Sequence, residues 1–398
     1  SDHFTALDAN RDGVLSIMDT PRMPRIRVQN TRLTNARNEP FTLHGINLGG
    51  WLVEEMWMTP WVQDPGGTPY QRVEDHETLW SVLTQRLGLS AALNVRSAYR
   101  NAWIQVDDFR RIREAGFNHV RLPFIYDILD EPNGIDWMRR AVWNANAAGL
   151  YVVLDMHGAP GSQNEWDHSG RVGRNRFFYE EAHIVKAEQV WAALAGEFGS
   201  NPGVIAFDLL NEPAGAPDAA TLHQVHNRLY QAIRAEAPNT MIIVEDGYKG
   251  FETMPALNQY GWSNVIYSTH LYNFDATSSQ AHLDALEAQL PGLLAVRNAR
   301  NVPIYIGEFN LEPHNSPEVM ARYTRIMTDN QFGWAMWTYK TVKADGPMNF
   351  WGYCSNPTAI TPLNPFTDSE STLISRANQA RTENLTVPTG YPPVFRLP

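Results

Sequence analysis

Two glutamates at the ends of apolar runs carry most of the chemistry legible in this chain. Glu212 lies in Phe207-Asp208-Leu209-Leu210-Asn211-Glu212-Pro213, and Glu308 in Ile304-Tyr305-Ile306-Gly307-Glu308-Phe309-Asn310. Each segment reads as a buried strand that delivers a carboxylate at its carboxyl end. Two such groups facing one cavity are what cleavage of a glycosidic bond needs, one as acid and one as nucleophile or base. Pro213 restrains the turn after Glu212, and the Asn211 amide is placed to meet a sugar hydroxyl. Burial and the second carboxylate are expected to raise the pKa of Glu212. Hydrogen bonds and a cation are expected to keep Glu308 ionised. Arg121, within Val120-Arg121-Leu122-Pro123-Phe124, is the expected cation, because an arginine amid an apolar strand is costly unless paired.

His157 closes Val152-Val153-Leu154-Asp155-Met156-His157, and His270 and Tyr272 close Ile266-Tyr267-Ser268-Thr269-His270-Leu271-Tyr272. Residues two apart on a strand point to the same side, so His270 and Tyr272 share a face and Tyr272 can donate to Glu308. Zinc held by Asp155, His157 and His270 is a competing reading, without tight ligand spacing to support it. Trp337 offers either a floor for a sugar ring or barrel core.

These residues need a scaffold that brings distant strand ends to one rim. Apolar, β-branched or aromatic runs occur at 41–48, 118–124, 150–157, 204–212, 241–246, 264–272, 302–309 and 333–340. Continuous apolar runs fit strands covered on both faces. Amphipathic segments at 106–115, 136–148, 180–198, 219–235, 280–299 and 317–330 fall between them, and only the unit at 248–259 lacks a clear helix. Gly116, Gly149 and Gly199 stand where helix carboxyl caps are expected. Strand and helix alternation over eight units predicts a (β/α)₈ TIM barrel. The 95 residues between the two glutamates match three such units. Two long loops, 51–101 with an extra helix at 77–87, and 157–178, leave strands one and three on the catalytic face. A closing helix is expected within 367–382.

Composition agrees with this frame. With 398 residues, 43% hydrophobic and 19% charged, the chain can bury a large core and is not globally disordered. A net charge of −11 disfavours nucleic acid and anionic membrane partners. No run approaches the roughly 18 apolar residues of a membrane span. Cys354 is the only cysteine, so no intrachain disulfide forms. Most of the aromatic residues read as core packing, but 13 tryptophans is a generous number, and aromatic faces suit the apolar faces of sugar rings. The chain begins Ser1-Asp2, without Met or a signal segment, and is expected to be a mature or trimmed form whose targeting segment is missing; a secreted or periplasmic location is the expectation.

At residues 40–345 the chain resembles glycoside hydrolase family 5, the retaining, cellulase-like (β/α)₈ enzymes. Arg121, His157, Asn211, Glu212, His270, Tyr272, Glu308 and Trp337 match that family's eight characteristic residues in order. The resemblance implies Glu212 as the acid on strand four and Glu308 as the nucleophile on strand seven. Gly45-Ile46-Asn47-Leu48-Gly49-Gly50-Trp51-Leu52-Val53-Glu54-Glu55 and His157-Gly158-Ala159-Pro160-Gly161-Ser162-Gln163-Asn164 are similar to segments of its exo-β-1,3-glucanases. That likeness implies that Glu55 and Asp167 bind hydroxyls of a terminal glucose and that Trp166 helps clamp the entrance. Glu165-Trp166-Asp167-His168, Phe274 and Trp337-Thr338-Tyr339-Lys340 depart from the subgroup pattern, which bears on linkage.

The N-terminus carries a separate signal. Asp8, Asn10, Asp12, the Val14 carbonyl and Asp19 have the ligand spacing of an EF-hand-like calcium loop with Gly13 at its turn. A structural Ca²⁺, with no cofactor for catalysis, is therefore expected. Residues 1–39 read as an N-terminal segment and 40–398 as the catalytic domain. The expected activity is release of glucose from the non-reducing end of β-glucans or β-glucosides. An endo-β-1,4-glucanase or β-mannanase, a non-catalytic carbohydrate-binding barrel, and a metal-dependent hydrolase are the alternatives.

Overall fold

The computed structural model describes residues 23–348, 350–391 and 395. A small antiparallel sheet comes first: β1 (Arg27–Gln29), β2 (Arg32–Thr34) and β3 (Pro40–Phe41). Eight parallel strands then close into a barrel in chain order. They are β4 (His44–Asn47), β5 (His119–Ile125), β6 (Tyr151–Gly158), β7 (Val204–Asp208), β8 (Met241–Glu245), β9 (Val265–Leu271), β10 (Ile304–Phe309) and β11 (Gly333–Met336). β12 (Lys340–Thr341) and β13 (Cys354–Ser355) form a separate pair beyond it.

Alternation along each strand sorts side chains between two layers. Outward residues such as Leu122, Leu154, Phe207 and Val244 join Ile112, Trp191 and Leu229 of the surrounding helices in the larger apolar cluster. Inward residues change character along the barrel axis. Tyr151 and Val153 belong to a smaller apolar cluster with Leu43, Met241, Ile243 and Tyr305, whereas Asp155 and His157 follow on the same face of β6. The lumen is thus apolar at the amino ends of the strands and ionisable at their carboxyl ends. Ile26 and Leu33 join the lower cluster, and the Tyr151 hydroxyl donates to the Pro24 carbonyl at 2.7 Å. Residues 24–34 therefore close the lower end, and the boundary drawn at residue 39 falls inside the β1–β3 sheet.

The barrel strands are shorter than the apolar runs that encode them. The run at 204–212 is a strand only to Asp208, so Glu212 stands on the turn beyond β7 rather than on a strand. Pro40 and Phe41 leave the first run for β3. The first crossover contains a second helix as well as the expected one: His76–Leu87 is followed by Leu89–Trp103. Gly88 separates them at φ +82°, and Ala92, Val95, Tyr99 and Ala102 of the second are buried. Gly116 caps its helix in the left-handed conformation, but Gly199 does so in the right-handed one. The closing helix is Glu370–Ala377.

The two long loops are fastened to each other. The Val172 amide donates to Asp75 at 2.9 Å, and Arg174 grips Glu77 through two bonds of 2.6 and 2.8 Å. Among the described residues, no helix is long and apolar enough to cross a membrane.

Candidate active site

Arg121 is the floor of the polar half of the lumen. It is fully buried on β5 and donates to Glu308 at 2.9 Å, Asp208 at 2.9 Å, Asn211 at 2.9 Å and Asn47 at 3.1 Å. Asp155 lies 3.1 Å away on its remaining side. Burial alone would lower its pKa, but Asp155, Asp208 and Glu308 outweigh that and hold it well above the ordinary value. The two aspartates pay the converse penalty: burial pushes each up to about 6 despite the arginine.

Glu308 ends β10 with both oxygens engaged. Oε1 accepts from Arg121, and Oε2 accepts from the Tyr272 hydroxyl at 2.8 Å. Glu212 is held differently. Its backbone is left-handed at φ +43°, a conformation that non-glycine residues rarely adopt. Both ends of that turn are pinned: the Glu212 amide donates to Glu245 at 3.0 Å, and its carbonyl accepts from Asn164 at 2.8 Å. Glu212 Oε1 accepts from the Tyr248 hydroxyl at 2.7 Å and lies 2.8 Å from His270 Nδ1. Oε2 lies 3.4 Å from His168 Nε2. Oxygens of Glu212 and Glu308 come within 4.8 Å of each other.

The charge state of Glu212 departs from expectation. Burial pushes its carboxyl up, as anticipated, but His168, His270 and the Tyr248 hydroxyl outweigh burial and hold it below the usual range. His270 shows the reciprocal effect. Burial would lower it, yet Glu245, Glu308 and Glu212 lift it to about 10. The pair is best described as one unit sharing a proton.

Above these groups opens a cavity of about 670 Å³. Glu55, His157, Trp166, Asp167, Glu212, Tyr272, Glu308 and Trp337 line it, while Arg121, Asn211 and His270 lie beneath and hold its lining. All eleven barrel residues singled out from the sequence therefore meet in one place. Trp337 stacks on His157 at 5.2 Å. Glu55 accepts from the Trp57 indole at 2.8 Å, and its other oxygen has no protein partner. His157 Nε2, 3.9 Å from that oxygen, and Asn211 Nδ2 are also unpartnered. Burial and the neighbouring Asp167, Glu308 and Glu212 push the Glu55 carboxyl well up. Phe274 stacks on Tyr272 at 5.0 Å and faces Trp351 at 6.2 Å, and Trp166 meets Tyr248 at 6.0 Å across the mouth.

The zinc alternative is corrected. Asp155 Oδ2 is tied to His157 Nδ1 at 2.7 Å, and His270 Nδ1 to Glu212, so the three do not converge on one point. The calcium loop of Asp8, Asn10, Asp12, Val14 and Asp19 lies outside the described residues. Sequence reading missed Tyr248, Glu245, His168, Trp57 and Trp351. Glu245 alone had a signal, since it ends an apolar run just as Glu308 does. The others stand on loops whose path is set by distant contacts.

Residues 85–342 match the family model described as Cellulase (glycosyl hydrolase family 5). A probable glucan 1,3-beta-glucosidase A of Aspergillus clavatus is 32% identical over 66% of this chain, and one of Aspergillus fumigatus is 34% identical over 58%. The chain spans 62% and 55% of those two relatives, less than two thirds of either. A rutinosidase from Aspergillus niger superposes with a TM-score of 0.62 at 19% identity, covering 85% of this chain and 98% of that one, a likeness of fold. The matched segment takes in every barrel strand from β5 to β11 and both glutamates, and on that match this chain belongs to glycosyl hydrolase family 5.

Proposed function

We propose that this chain is a retaining glycoside hydrolase that releases glucose from the non-reducing end of β-glucans or β-glucosides. The observation that carries it is the approach of Glu212 and Glu308 within 4.8 Å in one cavity. Double displacement works with carboxyl groups about 5–5.5 Å apart, whereas inversion needs about 6.5–9.5 Å to admit a water. Glu308, kept as an anion by Arg121 and Tyr272, attacks the anomeric carbon as the bond to the leaving oxygen breaks. Glu212 gives that oxygen a proton, drawing on the proton it shares with His270 across 2.8 Å. Water then loses a proton to Glu212 and displaces Glu308 from the sugar. Acid and nucleophile both come from side chains, so the chemistry calls for no cofactor.

Three unpartnered groups, on Glu55, His157 and Asn211, support sugar binding, because buried polar atoms without partners await hydroxyls. Glu55 and Asp167 are the proposed holders of the terminal glucose, and Trp337 its floor. The relatives named as glucan 1,3-beta-glucosidases support a β-1,3 preference. Since a polymeric glucan is met outside the cell, we also place the enzyme outside the cytoplasm.

A hydrolysis screen tests the proposal, using β-1,3-, β-1,4- and β-1,6-glucans with product sizing and anomeric analysis by NMR. Glucose of retained configuration from laminarin is the expected result. Oligosaccharides from carboxymethylcellulose mean an endo-acting enzyme, and an inverted product removes Glu308 as nucleophile. No turnover of any aryl β-glucoside leaves only a sugar-binding barrel.

A further inference from the structure

Glu245 ends β8, is almost fully buried, and has no part in the two-carboxylate scheme. One of its oxygens, Oε2, serves two neighbours. It accepts the Glu212 amide at 3.0 Å and lies 3.5 Å from His270 Nε2. The opposite nitrogen of the same ring, Nδ1, lies 2.8 Å from Glu212 Oε1. The imidazole is thus sandwiched between two carboxylates, and Glu212 is reached twice from Glu245, through its main chain and through the ring.

We propose that Glu245 is a positioning residue for the Glu212–His270 pair: its buried oxygen fixes the left-handed turn that aims Glu212 and keeps a second hydrogen on the far side of the His270 ring. The inference rests on the glycosidase reading of the site and deepens it. An imidazole with protons on both nitrogens is a donor toward Glu212, whereas a neutral ring with its proton on Nε2 is an acceptor there. The carboxylate behind the ring therefore decides whether Glu212 has a proton source beside it.

Other carboxylates around the ring act in the same sense or are paired with a cation. Glu308 of β10 lies 3.5 Å from Nδ1. Asp155 of β6 and Asp208 of β7 feel His270 but are each paired with Arg121 of β5. Asp246, next to Glu245, also feels the ring, and His168 meets Glu212 from the third loop. Among these, Glu245 alone comes within 4 Å of Nε2, as an ion-pair approach of 3.5 Å without hydrogen-bond geometry. Its own carboxyl is pushed up by burial and by Glu212 and Asp208, with His270 opposing. Glu245 and His270 thus hold their protons jointly.

Two measurements test this on the whole chain. Histidine-¹⁵N spectra of the unmodified protein should contain one ring that remains doubly protonated well above pH 8. If every histidine ring is neutral at pH 8, the proposal fails, whatever the activity. Glu245→Gln keeps an oxygen for the Glu212 amide and removes the charge. In this variant the alkaline limb of kcat/KM against pH, followed on an aryl β-glucoside, should move down by about one unit or more. A uniform fall in kcat with both limbs unmoved assigns Glu245 a purely structural role and overturns the proposal. Should the variant not fold, the ¹⁵N spectra still overturn the proposal if no ring is doubly protonated at pH 8. If the unmodified protein turns over no glycoside, the functional reading fails while the ring titration still answers for Glu245.

Discussion

Glu308 depends on two donors that differ in kind. Arg121 supplies charge and Tyr272 a neutral hydroxyl, and each meets a different oxygen. Removing the carboxylate itself, as Glu308→Gln, should lower kcat for an aryl β-glucoside at least about a thousandfold while the circular dichroism spectrum stays unchanged. Tyr272→Phe removes one hydrogen bond to a charged group, worth about 1.5 kcal/mol, so kcat should fall roughly tenfold with little change in melting temperature. Residual activity near the unmodified level in the first case, or an unfolded protein in the second, would count against these roles. Asp167→Ala should act on binding instead, raising KM for a glucoside roughly tenfold with a smaller effect on kcat, because its proposed partners are hydroxyls remote from the breaking bond. Arg121, Tyr272 and Glu308 were legible in the sequence because strand ends and chain order advertise them, whereas Asp167 was legible only through the resemblance to exo-β-1,3-glucanases. The second ring of contacts was not. Tyr248 reaches Glu212 from another loop at a left-handed residue of its own, and the turn at Glu212 is hydrogen-bonded by Glu245 and Asn164. Apart from the apolar run that ends in Glu245, no local pattern encodes such partners, so the expected upward shift of Glu212 left out the histidines that reverse it.

At the scale of strands and helices, one tight constraint lies low in the barrel. A side chain at Gly45 on β4 would place its Cβ 2.3 Å from the His119 ring and 2.5 Å from the His119 carbonyl. The ring is itself tied to the Tyr305 hydroxyl at 2.9 Å, and the carbonyl is main chain, so neither can step aside. Gly45→Ala should therefore destabilise the fold by about 1–3 kcal/mol, read as an earlier denaturant midpoint. An unchanged midpoint would show that β4 can slide. The existence of each barrel strand was readable from its apolar run, but the ends were not, because the same apolar residues continue past the last ladder bond into the turns. The helix Leu89–Trp103 was also within reach: Ala92, Val95, Tyr99 and Ala102 recur at helical spacing once Gly88 is read as a break rather than part of a loop.

For the whole molecule, pH ties the site to stability. His270 sits at about 10 in the fold, above the ordinary value near 6.5 for an imidazole. A raised base contributes stability that is complete below about pH 6.5 and is lost as pH rises through the folded value. Asp155 and Asp208 titrate near 6, so their effect is spent before this window opens. The melting temperature should fall between pH 7 and pH 10, and His270→Gln should flatten that slope. A protein whose melting point holds level to pH 10 would deny the ring its charge. Net charge, the single cysteine and the eightfold alternation had already bounded the class of molecule. The joining of the two long loops through Asp75 and Glu77 had not been visible, since it links residues nearly a hundred apart.

The plug formed by Ile26, Leu33 and Tyr151 has a kinetic consequence. With the lower end stoppered by apolar side chains, solvent and departing product share one doorway. On the mechanism proposed above, whichever molecule comes through it after the first displacement decides the fate of the glycosylated Glu308. At dilute acceptor that visitor is water. In a concentrated sugar solution it is another saccharide, and the balance tips from taking glycosides apart toward building longer ones.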